Sequence, residues 1–246
     1  MALTLITITM MSRNDRTWRE YNVHGEAKEE EESFDLFARE AQIEAFDYEF
    51  PPVIEKPISL RGHTEYSNST GMAIWTGSEV LAHYLSTHPE CVRGKRVLEM
   101  GAGLGLCGLL THCLGASHVC LTDGDVKVLD QLRDNVARNT THTSTIACPQ
   151  LVWGKENGLK AFVQKYGQHD VILAADCLYI PQSVEPFFET IQKTLASNGV
   201  LLYCNPSSSS APRKLVDAMA AQHGFVITSE AVTDRGKIQL FVRKDN

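Results

Sequence analysis

The chain has 246 residues, 43% of them apolar, which is enough to bury a large core in one domain or in one domain plus an extension. Its net charge is −7, and that acidic balance excludes general binding to a nucleic-acid backbone, which needs clustered Lys and Arg. Seven scattered cysteines, none in a CxxC pair, fit reduced thiols better than a disulfide framework, and no zinc site is visible.

Residues 1–60 read as an extension of different character from the rest. The opening MALTLITITMM is apolar, lacks a basic n-region and is too short to span a bilayer. The expectation is a cytosolic protein with possible nuclear access and no membrane partner. The alternating run Leu3–Ile8 suits a strand or a tail. The acidic patch Glu26–Glu32, followed by Phe34, Leu36 and Phe37, reads as a solvated segment or as a docking surface for a basic partner. Pro51, Pro52 and Pro57 among apolar residues predict extended edge structure covering one end of the main domain.

Asn68–Leu85 predicts a glycine turn, a short apolar element and a helix with Ser78 as its N-cap and Trp75 at its entry. From Arg96 onward, apolar strands and helices alternate. Strands are expected over Val97–Met100, His118–Thr122, Ile146–Trp153 (broken near Pro149), Val171–Ala175 and Val200–Cys204. Helices are expected over Leu104–Leu114, Val126–Asn139, Glu156–Tyr166, Ser183–Leu195 and Lys214–Gln222. Phe225–Val232 and Lys237–Val242 pair across Thr233–Gly236 as an antiparallel hairpin. The fold class is therefore α/β, a Rossmann-like, doubly wound seven-strand sheet, mostly parallel with an antiparallel C-terminal end, spanning residues 61–246.

Function is concentrated in Arg96–Asp125. Gly101, Gly103, Gly105 and Gly108 crowd the turn between a strand and a helix, where bare backbone can approach a ligand. Asp123 ends the next strand, where a carboxylate can accept ribose hydroxyls. Two ligands compete for this geometry. Gly103-x-Gly105-x-x-Gly108 fits the dinucleotide fingerprint, and Glu99-x-Gly101-x-Gly103-x-Gly105 resembles motif I of the class I S-adenosylmethionine (AdoMet) methyltransferases. The hairpin end favours the second, because a dinucleotide half would continue with more β-α units. Glu99, Asp123, Trp153 and Asp176 all fall at predicted strand ends on one side of the sheet.

Motif I, Leu121-Thr-Asp123, Leu151-Val-Trp-Gly154 and Ala174-Ala-Asp-Cys-Leu-Tyr179 occur in the order found in methyltransferase family 16, which this chain resembles over about residues 60–243. Thr70–Trp75 is similar to that family's Gly-to-Trp element. The resemblance implies an AdoMet-dependent protein-lysine N-methyltransferase acting on a non-histone protein, with AdoMet as cofactor and no metal. It implies that the backbone around Gly101 and Gly103 carries the methionine part, with Gly105 also counted as cofactor-binding, and that Glu99 lies near the amino group or in the motif I network. It assigns Asp123 to the ribose, Trp153 to adenine stacking, Trp75 to pocket closure and Ala175 to close backbone approach. Asp176 and Tyr179 face the acceptor amine, Asp176 as a positioner and Tyr179 through its ring and hydroxyl. A helix cap remains the structural alternative for Asp176, and core packing the alternative for each tryptophan. Further alternatives are a histidine or small-molecule acceptor, a nicotinamide-dependent dehydrogenase and a non-catalytic binding module. The partner expected is a basic protein substrate met by a monomer. The polar loop Asn205–Ser210, where the family shapes its acceptor site, leaves the substrate open.

Overall fold

Side chains alternate across a strand, so each apolar strand here feeds two separate cores, one on either face of a sheet. A computed structural model of the chain describes residues 8–11, 18–21, 43–63, 69–205 and 213–244. It divides into two compact units, Met1–Glu40 and Ala41–Asn246. In the first unit, β1 (Ile8–Met11) pairs antiparallel with β2 (Trp18–Tyr21). The acidic patch Glu26–Glu32, with Phe34, Leu36 and Phe37, lies outside the described residues, as do Leu3–Thr7 and the serines at 207–210.

The second unit opens with an antiparallel hairpin, β3 (Ile43–Tyr48) and β4 (Ile58–His63). The composition break near residue 60 falls inside this hairpin, whose Ile58 and Leu60 are buried in the core. Helix α1 (Thr76–Thr87) follows. Then come β5 (Arg96–Met100), α2 (Leu106–Cys113), β6 (His118–Thr122), α3 (Val126–Asn139) and β7 (Ile146–Ala147). After these come α4 (Glu156–Tyr166), β8 (His169–Ala175), α5 (Val184–Thr194), β9 (Leu195–Asn205), α6 (Arg213–Gln222), β10 (Phe225–Val232) and β11 (Lys237–Arg243).

Seven strands form one sheet in the order β10-β11-β9-β8-β5-β6-β7. The five from β9 to β7 are parallel; β11 runs antiparallel to β9, and β10, antiparallel to β11, returns to the direction of the five. On one face Val97, Val119, Leu121, Val171 and Leu173 pack against α1, α2 and α3 through Leu81, Leu85, Leu109 and Leu132. On the other, Leu98, Met100, Ile172 and Tyr203 pack against α4, α5 and α6 through Phe162, Phe187, Phe188 and Val216. Fully burying side chains of this size contributes about 1.5–3 kcal/mol each.

Two expectations change in detail. Helix α1 begins at Thr76 with Trp75 at the N-cap position, so Ser78 lies inside the first turn rather than before it. The third parallel strand shrinks to Ile146–Ala147, because Pro149 has no N–H for the ladder; contact resumes as a parallel bridge between Gln150 and Asp123.

Helix α3 also holds the hairpin. Asn135 and Asn139, one turn apart, face β4. Asn135 Oδ1 accepts the Arg61 N–H at 2.9 Å, and its amide donates to the Arg61 and Leu104 carbonyls at 3.1 Å. Asn139 accepts the Ser59 N–H at 2.8 Å and donates to the Ser59 carbonyl at 2.7 Å. Two side-chain amides thus serve β4 as a neighbouring strand would.

Candidate active site

The chain runs outward from β5 to β6 and β7, then crosses back to β8 on the other side of β5. Crevices in open α/β sheets form at the carboxyl ends of the strands where the order reverses. A cavity of about 550 Å³ lies there, lined by the turn after β5, the ends of β6 and β8, and the segment before α1.

The turn Gly101–Gly105 is shaped by left-handed backbone. Gly101 has φ of 68° and Gly103 has φ of 53°. A Cβ on Gly101 would stand 2.9 Å from the Cys177 Cβ, and one on Gly103 would stand 3.1 Å from the Gly71 carbonyl. A Cβ at Gly101 forces its neighbour to shift, the fit at Gly103 is tight, and the left-handed backbone strains any side chain at either position. The Gly103 N–H donates to Asp123 Oδ2 at 3.2 Å, and Asp123 Oδ1 accepts the Asp125 N–H at 3.0 Å. Burial raises the Asp123 carboxyl above its usual range, and these N–H donors oppose the shift.

Glu99 and Gly105 do not line the cavity. Strand alternation turns Glu99 toward α2, where it is 4% exposed and accepts the Gly108 N–H at 2.8 Å. A Cβ on Gly108 would lie 2.6 Å from that carboxylate, so the third glycine of the dinucleotide fingerprint is a packing residue here. Burial pushes Glu99 up to about 8, opposed by the Gly108 N–H and reinforced by Asp123. Gly105 precedes α2 with φ of 91° and packs under the turn on Leu132 and Leu121.

Asp176 follows β8 with φ of 52°, the left-handed region where Asp is among the few residues found. Its N–H donates to the Cys204 carbonyl at 3.2 Å, and its Oδ2 accepts the Gly77 N–H. Gly77 is the second residue of α1, whose N-cap position provides no side-chain acceptor. Asp176 therefore supplies the missing cap, though for a helix far away in sequence. Burial raises its carboxyl, and the Gly77 N–H opposes this.

The segment Ser69–Trp75 crosses the front of the cavity. Ser69 Oγ donates to Asp125 Oδ2 at 2.9 Å, while Asp125 Oδ1 caps α3 by accepting the Lys127 N–H at 2.9 Å. The Thr70 and Tyr179 hydroxyls share a hydrogen bond of 2.9 Å. Trp75 Nε1 donates to the Thr70 carbonyl at 2.8 Å. Across the cavity, Trp153 sits edge-on to Phe187 at 5.2 Å, and Ala175 lines the wall beside Asp176. Trp75, Gly101, Gly103, Asp123, Trp153, Ala175, Asp176 and Tyr179 thus meet around one space. Its only charged walls among the described residues are Asp123, Asp125 and Asp176. An acidic cavity with aromatic walls suits a cationic ligand carrying a ring and hydroxyls.

Sequence reasoning misses Ser69, Asp125 and Gly77. Asp125 has a signal, an Asp immediately before a helical run. Gly77 and Ser69 have none.

The profile of the family described as lysine methyltransferase matches residues 54–222. The chain belongs to that family. Among curated proteins, a protein N-terminal and lysine N-methyltransferase EFM7 from Cryptococcus neoformans is 32% identical over 146 residues, covering 58% of this chain and 48% of that protein. A calmodulin-lysine N-methyltransferase from Arabidopsis thaliana is 30% identical over 132 residues, covering 52% of this chain and 42% of the relative. The chain spans about half the length of the curated relatives it matches. Among solved structures, a putative RNA methyltransferase from Pyrococcus horikoshii aligns with a TM-score of 0.55 at 17% identity, covering 76% of this chain and 92% of that one. That likeness is one of fold.

Proposed function

We propose that the protein transfers a methyl group from AdoMet to a side-chain nitrogen of another protein, a lysine of a non-histone substrate. The observation that carries this is the convergence of Asp123, Asp176, Trp153 and Tyr179 around one acidic cavity at the switch point of the sheet. Bound AdoMet supplies an electrophilic methyl group on a sulfonium. The family's residue roles fit what this chain offers. Asp123, fixed by the Gly103 and Asp125 N–H groups, keeps acceptor capacity toward ribose hydroxyls. Gly101 and Gly103 leave backbone bare for the amino-acid end, and Trp153 offers a ring face to adenine. Glu99 contributes by holding the turn from behind rather than by direct contact.

A lysine ammonium must lose its proton before its nitrogen can attack, since the unperturbed pKa is about 10.4. Asp176 draws the cationic side chain in and, locked by Gly77, fixes where it stops. Tyr179 closes the other side with its ring. Holding nitrogen and methyl in line can supply roughly 7–11 kcal/mol of the barrier. The substrate in this reading is a basic protein drawn to an acidic surface, and the enzyme acts as a cytosolic monomer with reduced thiols.

The test is incubation of the chain with tritiated AdoMet and cell lysate, followed by mass spectrometry of labelled proteins. Methyl-lysine on a protein band is the expected product. Label on imidazole, on an N-terminal amine or on no protein would contradict the lysine reading. Absence of AdoMet binding by calorimetry would remove the cofactor reading altogether.

A further inference from the structure

At the end of the sheet away from the cavity, three donor side chains meet. His118 and Cys120 stand two residues apart on β6 and share one face. His169 opens β8, and a register shift between His169 and Val171 against β9 breaks the regular alternation there. The ligating atoms of the three all lie within 4.8 Å of one another, and Cys120 Sγ is 3.8 Å from His118 Nδ1. Cys120 and His169 are fully buried, whereas His118 is half-buried. Both His169 ring nitrogens are buried, and the main-chain group facing the ring is that of Thr194, which can serve one nitrogen and leaves the other without a partner. Buried polar atoms are nearly always paired, so such an imidazole calls for a partner.

Two imidazoles and one thiol are the donors of a borderline-soft, late transition metal. Metal–ligand bonds of about 2.0–2.3 Å place tetrahedral donors about 3.3–3.8 Å apart. The Cys120–His118 separation of 3.8 Å already fits, and the other two, within 4.8 Å, need small rotations of His169 as well as His118 to close on a metal. That exposure also gives an entry path and room for a water. Arg96 lies alongside, but its Nε donates to the Gln168 carbonyl at 3.2 Å and its Nη2 to the Tyr166 carbonyl. Its main-chain N–H is held by Asp170 at 2.9 Å. The guanidinium opposes a bare cation; burial pushes the Cys120 thiol up to about 12, Arg96 only partly offsets this, and the metal itself must displace the thiol proton.

We propose that His118, Cys120 and His169 hold one Zn2+, with water as fourth ligand, tying β6 to β8 across β5. Metal binding displaces the thiol proton to solvent and leaves the zinc oxidation state unchanged. The site is independent of methyl transfer, because it lies at the opposite strand ends from Asp123 and Asp176.

The test uses the full chain, stripped by chelator under reducing conditions and reloaded with Zn2+ or Co2+. Retention of one equivalent of Zn2+ through gel filtration and a rise in Tm are expected. The Co2+ form should show a near-ultraviolet thiolate-to-cobalt charge-transfer band. Cys120→Ser should abolish that band, while Cys113→Ser, at an exposed thiol, keeps it. Should Cys120→Ser fail to fold by circular dichroism, His118→Gln at its half-buried position takes over and should weaken Zn2+ binding at least about tenfold. No retained Zn2+, a band that survives Cys120→Ser, or unchanged affinity in His118→Gln would overturn the site.

Discussion

Asp176 closes the first turn of a helix to which it does not belong. Its carboxylate accepts the Gly77 N–H across 99 positions of sequence, and the helix that begins there follows directly on Trp75. One side chain therefore both orders the approach to α1 and presents negative charge to the cavity. The left-handed φ of 52° that aims it there costs about 1–3 kcal/mol, a strain that clusters at functional sites.

Substitution separates the two tasks. Asp176→Asn keeps an oxygen for Gly77, and Asn tolerates the left-handed region, so Tm should change little while methyl transfer collapses. Asp176→Ala loses the cap as well and should cost about 0.5–2 kcal/mol of stability. Thermal melts beside single-turnover assays check this pair. Equal activity loss with equal destabilisation in both variants would show that the residue is structural alone.

Gly77→Ala probes the same contact from the other side. The added Cβ would stand 2.6 Å from Asp176 Oδ2, too close without moving the carboxylate. Overpacking of this kind costs about 1–3 kcal/mol, and kcat should fall although Gly77 touches no substrate. A fully active variant would disprove the coupling.

Trp153→Ala should weaken AdoMet binding in calorimetry by about 1–3 kcal/mol, the range for an aromatic ring stacked on a base. A core role through Phe187 would instead lower Tm with the remaining AdoMet affinity intact.

Glu99 sets a pH dependence. The folded protein holds its proton up to about pH 8, whereas the ordinary value is 4.5. Its favourable contribution is complete below 4.5 and is lost as pH rises toward 8, because the folded state binds more protons across that window. Glu99→Gln stays neutral and can still accept the Gly108 N–H, so urea midpoints should fall less steeply over the same window. The residual slope combines Asp123 and Asp176, whose carboxyls burial also raises, with His112, His118 and His169, whose imidazoles burial lowers and which act in the opposite sense. A slope unchanged by the substitution would contradict the buried, protonated state.

How much of this was legible follows from the range of each interaction. The strands and helices around the turn announce themselves by local periodicity, so His118–Thr122 and Val126–Asn139 emerge with their bounds. Asp123, Trp153 and Asp176 are legible as polar or aromatic residues at the ends of apolar runs. Glu99 sits beside the same turn, but strand parity sends its side chain into the sheet–helix layer, away from the cavity. Gly77 as a donor, Thr70 as the meeting point of Trp75 and Tyr179, and the approach of His169 to Cys120 arise only when distant segments are packed together. Residue identity carries no mark of such pairings.

Helix α3 has a consequence beyond its own packing. Its N-cap, Asp125, anchors Ser69 at the cavity front, and its later turns anchor β4 through Asn135 and Asn139. The helix is a lever arm with the front of the cavity at one end and the hairpin at the other. Lesions at Asn135 or Asn139, whose amides hold the Ser59 and Arg61 main chain well outside the cavity, would thus be felt as altered entry at its mouth, and pairs of substitutions at the two ends of α3 would not add.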